Sequence, residues 1–325
     1  MIGGLTAWFM TTGGAGFRTQ ARGLATRVAG KARELVVELR APWRYLPGAM
    51  TPVPLMGLSK SSDRPAPPWP DLLVSCGRRT TALAMAIRRA SRGRTLVVHV
   101  QNPLTSVAGF DLVVAMDHDG ISGPNVLNVP TALHDVTPAR LAAAADLWRD
   151  RLRTPGRPLV GVLLGGSTPH HPFSAATARP LVDDLRRLSA ETGAALAITP
   201  SRRTPSDVRR MLAEAFADQP GVFVWDLEGE NPYFGILALA DRLVATSDSV
   251  SMISEALATP HPVEVFGADG GRRHALFLRG LIDRGLVRRF TGEAVPPPAG
   301  GPIDATALAA EAVERLIHSR KSKAL

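Results

Sequence analysis

Short runs of valine, leucine and isoleucine recur along the chain, and between them apolar residues fall three and four positions apart. The runs at Leu5–Met10, Glu34–Glu38, Asp71–Ser75, Thr95–Val100, Phe110–Ala115 and Asn125–Val129 predict a first set of strands. A second set is predicted at Leu159–Leu164, Ala194–Thr199, Gly221–Trp225, Arg242–Thr246 and Pro262–Phe266. Several of these runs show no polar alternation, as parallel strands covered on both faces require. Helical spacing fills intervals such as Ala82–Ala90, Pro138–Arg151, Ala175–Glu191, Pro205–Ala217 and Ser251–Ala258. Strand alternating with helix predicts an α/β fold, two Rossmann-like parallel sheets in succession joined by right-handed crossovers.

The 325 residues are enough for two domains, each with its own core. Between the two sets of strands lies Thr154-Pro155-Gly156-Arg157-Pro158, which suits a connection better than a helix or strand interior. The expected division is an N-terminal domain at 1–152, a linker at 153–158 and a C-terminal domain at 159–295. Pro296–Pro302 then sets off a final segment, 296–325, with a helix near Thr306–His318 and a basic tail. Pro42–Pro70, with Trp43, Tyr45 and Trp69, is expected as an ordered surface loop on the first domain.

Charge changes the picture only a little. Lysine and arginine number 38 against 29 acidic residues, giving +9, and lysine occurs only at 31, 60, 321 and 323. That balance admits anionic partners without choosing among them. Nucleic acid is set aside, since aromatics are 5% of the chain and show no stacking pattern on strands. Cys76 is the single cysteine, so neither an intrachain disulfide nor a multi-cysteine zinc site can form. No apolar run reaches the roughly 18 residues of a membrane span, and the opening segment lacks a basic region followed by an apolar core. A cytoplasmic location is the expectation.

Open parallel sheets bind ligands at the carboxyl ends of their strands, so the residues there carry the candidate chemistry. The first strand runs into Gly13-Gly14-Ala15-Gly16, where close glycines let backbone N–H groups approach an anion or a sugar. The spacing is not Gly-x-Gly-x-x-Gly, and a bare tight turn explains it equally. After Leu164 come Gly165, Gly166 and Ser167, whose N–H groups and hydroxyl suit a pyrophosphate, or else a turn leading to a helix cap near Ser174. Arg202 and Arg203 follow another strand and suit a diphosphate, or an exposed charged turn. Glu228-Gly229-Glu230-Asn231-Pro232-Tyr233 packs two carboxylates and an amide after a third strand. Thr246, Ser247, Ser249 and Ser251 surround a predicted helix start where hydroxyls and free N–H groups can meet phosphate oxygens. Glu255, four positions after Ser251, suits a ribose diol; a serine-capped helix with a solvated glutamate is the plainer account. Arg78, Gln101 and Asn102 end other strands of the first domain, as cleft or as surface turns. His118 stands between Asp117 and Asp119, and His170-His171 are adjacent, but no helical His-x-x-x-His occurs, so no metal is expected. Gly-x-Ser-x-Gly is absent too.

Taken in order, Gly13–Gln20, Ser75–Arg79, Gln101–Pro103, Asp117–Asn125, Ser201–Pro205, Glu228–Tyr233 and Thr246–Ala256 resemble bacterial relatives of the plant mitochondrial fission protein "elongated mitochondria", over about residues 5–292. The strongest signature is Gly-Glu-Asn-Pro-Tyr followed by Thr-x-Asp-Ser-Val-Ser-Met-x-Ser-Glu-Ala, with Ser247 at the first x. Those bacterial proteins are described as glycosyltransferases of the GT-B kind, so the resemblance implies two Rossmann-like domains with sheets facing across a cleft. The second domain is similar, more distantly, to that of the N-acetylglucosaminyltransferase that makes the lipid-linked peptidoglycan precursor. That similarity implies that Gly166 and Ser167 approach a diphosphate, Ser249 and Ser251 flank it, and Glu255 holds the ribose. The donor is then a nucleotide-diphosphate sugar, uridine diphosphate being the carrier, with no separate cofactor. Gly165, Arg202, Arg203, Glu230, Asn231 and Ser247 complete the expected donor side; Gly13, Gly14, Gly16, Gln20, Arg78, Gln101 and Asn102 form the acceptor side. Where that transferase has a histidine after its first glycine loop, this chain has Phe17, which moves no proton. Asp117, His118 or Asp119 is left as the candidate base.

The expectation is metal-independent glycosyl transfer to a lipid-linked or envelope-glycan acceptor, with Arg40, Trp43 and Arg44 as a candidate contact with the inner-membrane surface. Two alternatives stand beside it: a non-catalytic adaptor that keeps the fold, and a nucleotide-sugar epimerase.

Overall fold

The computed structural model describes residues 4–46, 51, 53–168, 172–268, 270–297 and 300–324. It forms two compact units, one of residues 1–135 with 304–325, the other of residues 136–303. Each is built on one six-stranded parallel sheet.

In the first unit the elements run β1 (Ala7–Thr11), α1 (Ala15–Ala29), β2 (Arg33–Val36), β3 (Leu72–Cys76), α2 (Thr81–Ala90), β4 (Leu96–Val100), β5 (Leu112–Met116) and β6 (Val126–Val129). The strand order is β2-β1-β3-β4-β5-β6, so the chain reverses direction across the sheet between β1 and β3. All residues of β1, β3 and β4 are buried. The reason is that Leu72, Val74 and Val98 pack against α1 on one face, while Leu73, Val97 and Val113 pack with Leu83 and Ile87 of α2 on the other.

The second unit comprises α3 (Pro138–Leu152), β7 (Leu159–Leu164), α4 (Ala175–Thr192), β8 (Ala195–Pro200), α5 (Ser206–Ala215), β9 (Val222–Val224), α6 (Tyr233–Leu239), β10 (Arg242–Thr246), α7 (Val250–Leu257), β11 (Val263–Phe266), α8 (Arg272–Asp283) and the two-residue β12 (Arg288–Arg289). The order β12-β11-β10-β7-β8-β9 puts the reversal between β7 and β10. Register aligns Leu164 of β7 with Pro200 of β8, and Leu163 with Ala245 of β10. The turns after these three strands therefore emerge side by side.

The last helix, α9 (Ala305–Ala324), returns to the first unit, where Ala305, Ala309 and Val313 join the core beside Leu24 and Val28 of α1. The division differs from the expected one at both ends. Helix α3 belongs to the second unit rather than closing the first, because Trp148 and Leu152 are buried in the second unit's core. The fit is close: a Cβ on Gly235 of α6 would stand 2.5 Å from the Trp148 ring. Residues 153–158 accordingly connect α3 to β7 inside one unit, and α9 is an integral helix of the other. Helices α1, α6 and α8 add to those named from the pattern.

Candidate functional site

Ligands of open parallel sheets enter the crevice where strand order reverses. In the second unit that crevice is walled by the turn after β7 and the start of α7 after β10. Gly165 and Gly166 make the turn because nothing larger fits. A Cβ on Gly165 would lie 2.2 Å from the Asp248 carboxylate, and one on Gly166 would lie 2.1 Å from the backbone oxygen of Arg203. Their N–H groups are already used. Gly165 N–H donates to Thr246 Oγ1 (2.8 Å) and Gly166 N–H to Asp248 Oδ2 (2.9 Å). Thr246 in turn donates its hydroxyl to Asp248 Oδ1 (2.7 Å). Arg203, on the turn after β8, reaches the same carboxylate at 3.3 Å. Ser201 donates to the Gly165 carbonyl (2.8 Å), and the Thr204 hydroxyl donates to it as well. Asp248 thus ties the ends of β7, β8 and β10 into one cluster, its side chain only 5% exposed.

The serines divide by role. Ser249 is the N-cap of α7, accepting from Met252 N–H, and is buried. Ser251 sits half-buried in the first turn. Ser247 is turned toward the loop after β11, donating to the Ala268 carbonyl (2.7 Å), while its own carbonyl accepts from His274 Nε2. Ser167 is exposed and closes its own loop by exchanging hydrogen bonds with the Phe173 backbone (2.8 and 3.0 Å). Ser174 caps α4 as expected. The Thr246 and Asp248 side chains thus accept from both glycine N–H groups, and the Phe173 backbone engages the Ser167 hydroxyl.

Glu255 is not solvated. It is 8% exposed, in the second turn of α7, and accepts from the Tyr233 hydroxyl of α6. Tyr233 ends the Glu-Asn-Pro-Tyr segment, whose Asn231 side chain accepts from Tyr233 N–H (2.9 Å) and so starts α6. Glu230 and Asn231 are themselves exposed, as is Arg202. Nearby, Asp207 of α5 accepts from Ala175 N–H at the start of α4 (2.9 Å). That hydrogen bond holds its carboxyl below the ordinary carboxylate range.

In the first unit the crevice between β1 and β3 is roofed by Phe17. A Cβ on Gly14 would stand 3.1 Å from its ring, and one on Gly77 3.6 Å. Gly13 has φ of +87°, which favours glycine there. Gly16 lies in the first turn of α1; Gln20 is buried, sharing with Gln101 a cavity of about 10 Å³. Gln101 and Asn102 follow β4, and Arg78 is exposed after β3. Asp117, His118 and Asp119 form a short 3-10 turn after β5, with His118 Nε2 4.0 Å from Asp119. By strand order this turn stands two strands away from β3. Sequence reasoning brought Gly13, Gly14 and Arg78 to the reversal, but not the Asp117–Asp119 turn.

Among the described residues no group of three or more His, Cys, Asp or Glu side chains is placed to hold a metal ion. His170 and His171 lie outside the described residues. No described helix is long and apolar enough to cross a membrane.

The family described as "Mitochondrial fission ELM1" matches residues 15–317. The chain belongs to this family. The mitochondrial fission protein ELM1 of Arabidopsis thaliana is 34% identical over a stretch covering 77% of the chain and 65% of the plant protein, so the chain spans about two thirds of that relative. An uncharacterized Rickettsia prowazekii protein is 25% identical, covering 68% of this ELM1-family chain and 72% of its own length. Two solved structures share the fold at 12% identity. One is the UDP-GlcNAc 2-epimerase of Neisseria meningitidis bound to UDP-GlcNAc (TM-score 0.51, covering 97% of this chain and all of that one). The other is the UDP-GlcNAc 2-epimerase of Methanocaldococcus jannaschii (0.52, covering 77% of each). The ELM1-family chain thus has a GT-B-like double-Rossmann fold.

Sequence reasoning passed over Asp248, Thr204 and Tyr233 as site residues. Asp248 and Tyr233 both stood inside the signature segments, and the Thr-x-Asp spacing was the available signal.

Proposed function

We propose that the crevice of the second unit takes the nucleotide end of a nucleotide-diphosphate sugar, uridine diphosphate being the carrier, and that the chain transfers the sugar to an acceptor hydroxyl. The observation that carries this reading is Glu255, a buried carboxylate braced by Tyr233 on a helix that starts at the strand reversal. A carboxylate offers about four acceptor positions, and a ribose diol uses two. The Neisseria epimerase, whose structure holds UDP-GlcNAc, supports a uridine nucleotide in a fold of this kind.

Departure of the nucleoside diphosphate builds negative charge, and groups fixed in advance lower that cost most. Arg202 and Arg203 supply guanidinium forks, and the start of α7 supplies the positive end of its dipole. A diphosphate at the turn competes with Asp248 for Gly166 N–H and for Arg203. Phe17 takes no proton, and this reading keeps Asp117, His118 or Asp119 as the candidate base. The test is incubation with a panel of nucleotide sugars, with products read by mass spectrometry. Nucleoside diphosphate release that depends on an added acceptor supports transfer. An isomeric sugar formed without acceptor supports epimerisation instead, and no product from any nucleotide sugar favours the adaptor reading.

A further inference from the structure

A cavity of about 270 Å³ opens entirely within the first unit, at the carboxyl edge of its sheet. Its floor comes from the residues that follow β1 to β4 and its cover from the proline-rich insertion. The insertion is pinned at its base. Leu39 bridges Leu58 at its base, and Arg40 N–H donates to the Gly57 carbonyl (2.8 Å). Gly57 lets the Trp43 ring lie flat on the loop, since a Cβ there would stand 2.7 Å from it. The arginines Arg40 and Arg44 stack on Trp43 and Tyr45 at 5.2 and 4.9 Å. The cover is therefore a preformed aromatic wall.

The charge lining this cavity is lopsided. Arg44, Arg78 and Arg79 line it against a single carboxylate, Glu38. Among the described residues neither Arg78 nor Arg79 is in an ion pair. Their position follows from the local sequence: Gly77, at φ +88°, turns the chain out of β3 into a 3-10 turn, Arg78–Thr80. Thr80 faces inward and donates to the Gly77 carbonyl (2.8 Å), which leaves both guanidiniums outward at the start of α2. The dipole of that ten-residue helix adds to the positive potential. The mouth is apolar, with Tyr45 71% and Leu104 63% exposed.

We infer that this cavity binds an amphipathic anion, a phosphate monoester whose phosphate meets Arg78 and Arg79 and whose apolar body lies along Trp43 and leaves past Tyr45 and Leu104. Two forked guanidiniums match phosphate geometry, and an aromatic wall suits an alkyl or isoprenyl chain. The site stands independently of the nucleotide reading, being in the other unit.

The test is titration of dodecyl phosphate into the full chain without nucleotide, followed by intrinsic tryptophan fluorescence or calorimetry. Dodecyl phosphate is expected to bind at least about tenfold more tightly than either inorganic phosphate or the neutral dodecyl maltoside, because each lacks half of the recognition. The pair Arg78→Gln and Arg79→Gln is expected to remove that advantage, and Arg78→Lys with Arg79→Lys to keep part of it, since lysine keeps the charge but not the fork. Both pairs are exposed, and circular dichroism checks that the fold persists. Co-sedimentation with phosphatidylcholine vesicles, with and without phosphatidic acid, separates the sources: Arg78-dependent binding to the acidic vesicles identifies a lipid headgroup, and binding of monomeric dodecyl phosphate alone a soluble ester. Equal binding of dodecyl phosphate and dodecyl maltoside, no binding, or binding that the glutamine variants leave unchanged would overturn the inference. A protein that fails here yet binds uridine diphosphate overturns this site and leaves the nucleotide reading standing.

Discussion

Substituting Asp248→Asn separates stability from ligand affinity in a way a general packing defect cannot. The carboxylate accepts from Gly166 N–H (2.9 Å) and Thr246 (2.7 Å) and pairs with Arg203 (3.3 Å), while only 5% exposed. Asparagine keeps an acceptor oxygen but loses the charge, and its amide must face one of these donors. Hydrogen bonds to a charged group contribute about 1.5–3 kcal/mol against about 0.5–1.5 for neutral pairs, so the change costs about 1–2 kcal/mol. The Arg203 contact adds little, because that guanidinium is half exposed. At about 2–4 °C per kcal/mol for a unit of this size, melting falls by a few degrees. Binding moves the other way. A carboxylate about 5 Å from one phosphate charge opposes it by roughly 3 kcal/mol at an effective dielectric of about 20, an upper bound once water and salt screen it. Removing the charge is expected to tighten uridine diphosphate binding by about tenfold or more. Calorimetric titration beside a melting curve reads both effects. Equal affinity in the two proteins, or a loss of affinity in parallel with stability, would refute the placement of the diphosphate beside Asp248.

Gly166→Ala is expected to cost about 1–3 kcal/mol by urea denaturation, because its Cβ meets the Arg203 carbonyl at 2.1 Å and the β8 turn must move; an unchanged urea midpoint would show that the turn is not close-packed. His99 is fully buried beside Ser75 (2.9 Å) and burial pushes it down to about 3. As pH falls below about 6.5 the unfolded chain takes up a proton that the folded one refuses, so stability drops by up to about 1.4 kcal/mol per pH unit until about pH 3. His99→Leu is accordingly expected to shrink the loss between pH 7 and pH 5 by about 2 kcal/mol, read from urea midpoints at the two values, and an unaltered loss would assign the acid sensitivity elsewhere.

The strands were legible because parallel strands buried on both faces leave unbroken apolar runs, as Leu72–Cys76 and Leu159–Leu164 do. Helix α1 was less so, since its buried side is largely small: Ala21, Gly23 and Ala25 with only Leu24 and Val28 as bulk. The proline-rich 153–158 stretch marked a connection truly, but composition says nothing about which core a neighbouring helix joins. Trp148 against Gly235 decides that, across 87 positions no local pattern links. The site divides in the same way. Ser249 as a cap follows from local spacing. Asp248 draws its partners from 82 and 45 positions away, Gly166 and Arg203, and the glycines that looked open to a ligand are filled by that convergence.

Whether Glu255 grips the sugar ring of a uridine nucleotide is read by calorimetric titration of uridine diphosphate into the native chain, Glu255→Ala and Tyr233→Phe. The native protein is expected to bind, Glu255→Ala to lose about tenfold or more for the two hydroxyls it no longer holds, and Tyr233→Phe to lose less affinity while melting lower, because the buried carboxylate loses a donor. Failure of the native protein to bind, or equal binding by Glu255→Ala, would mean that Glu255 holds no nucleotide ribose.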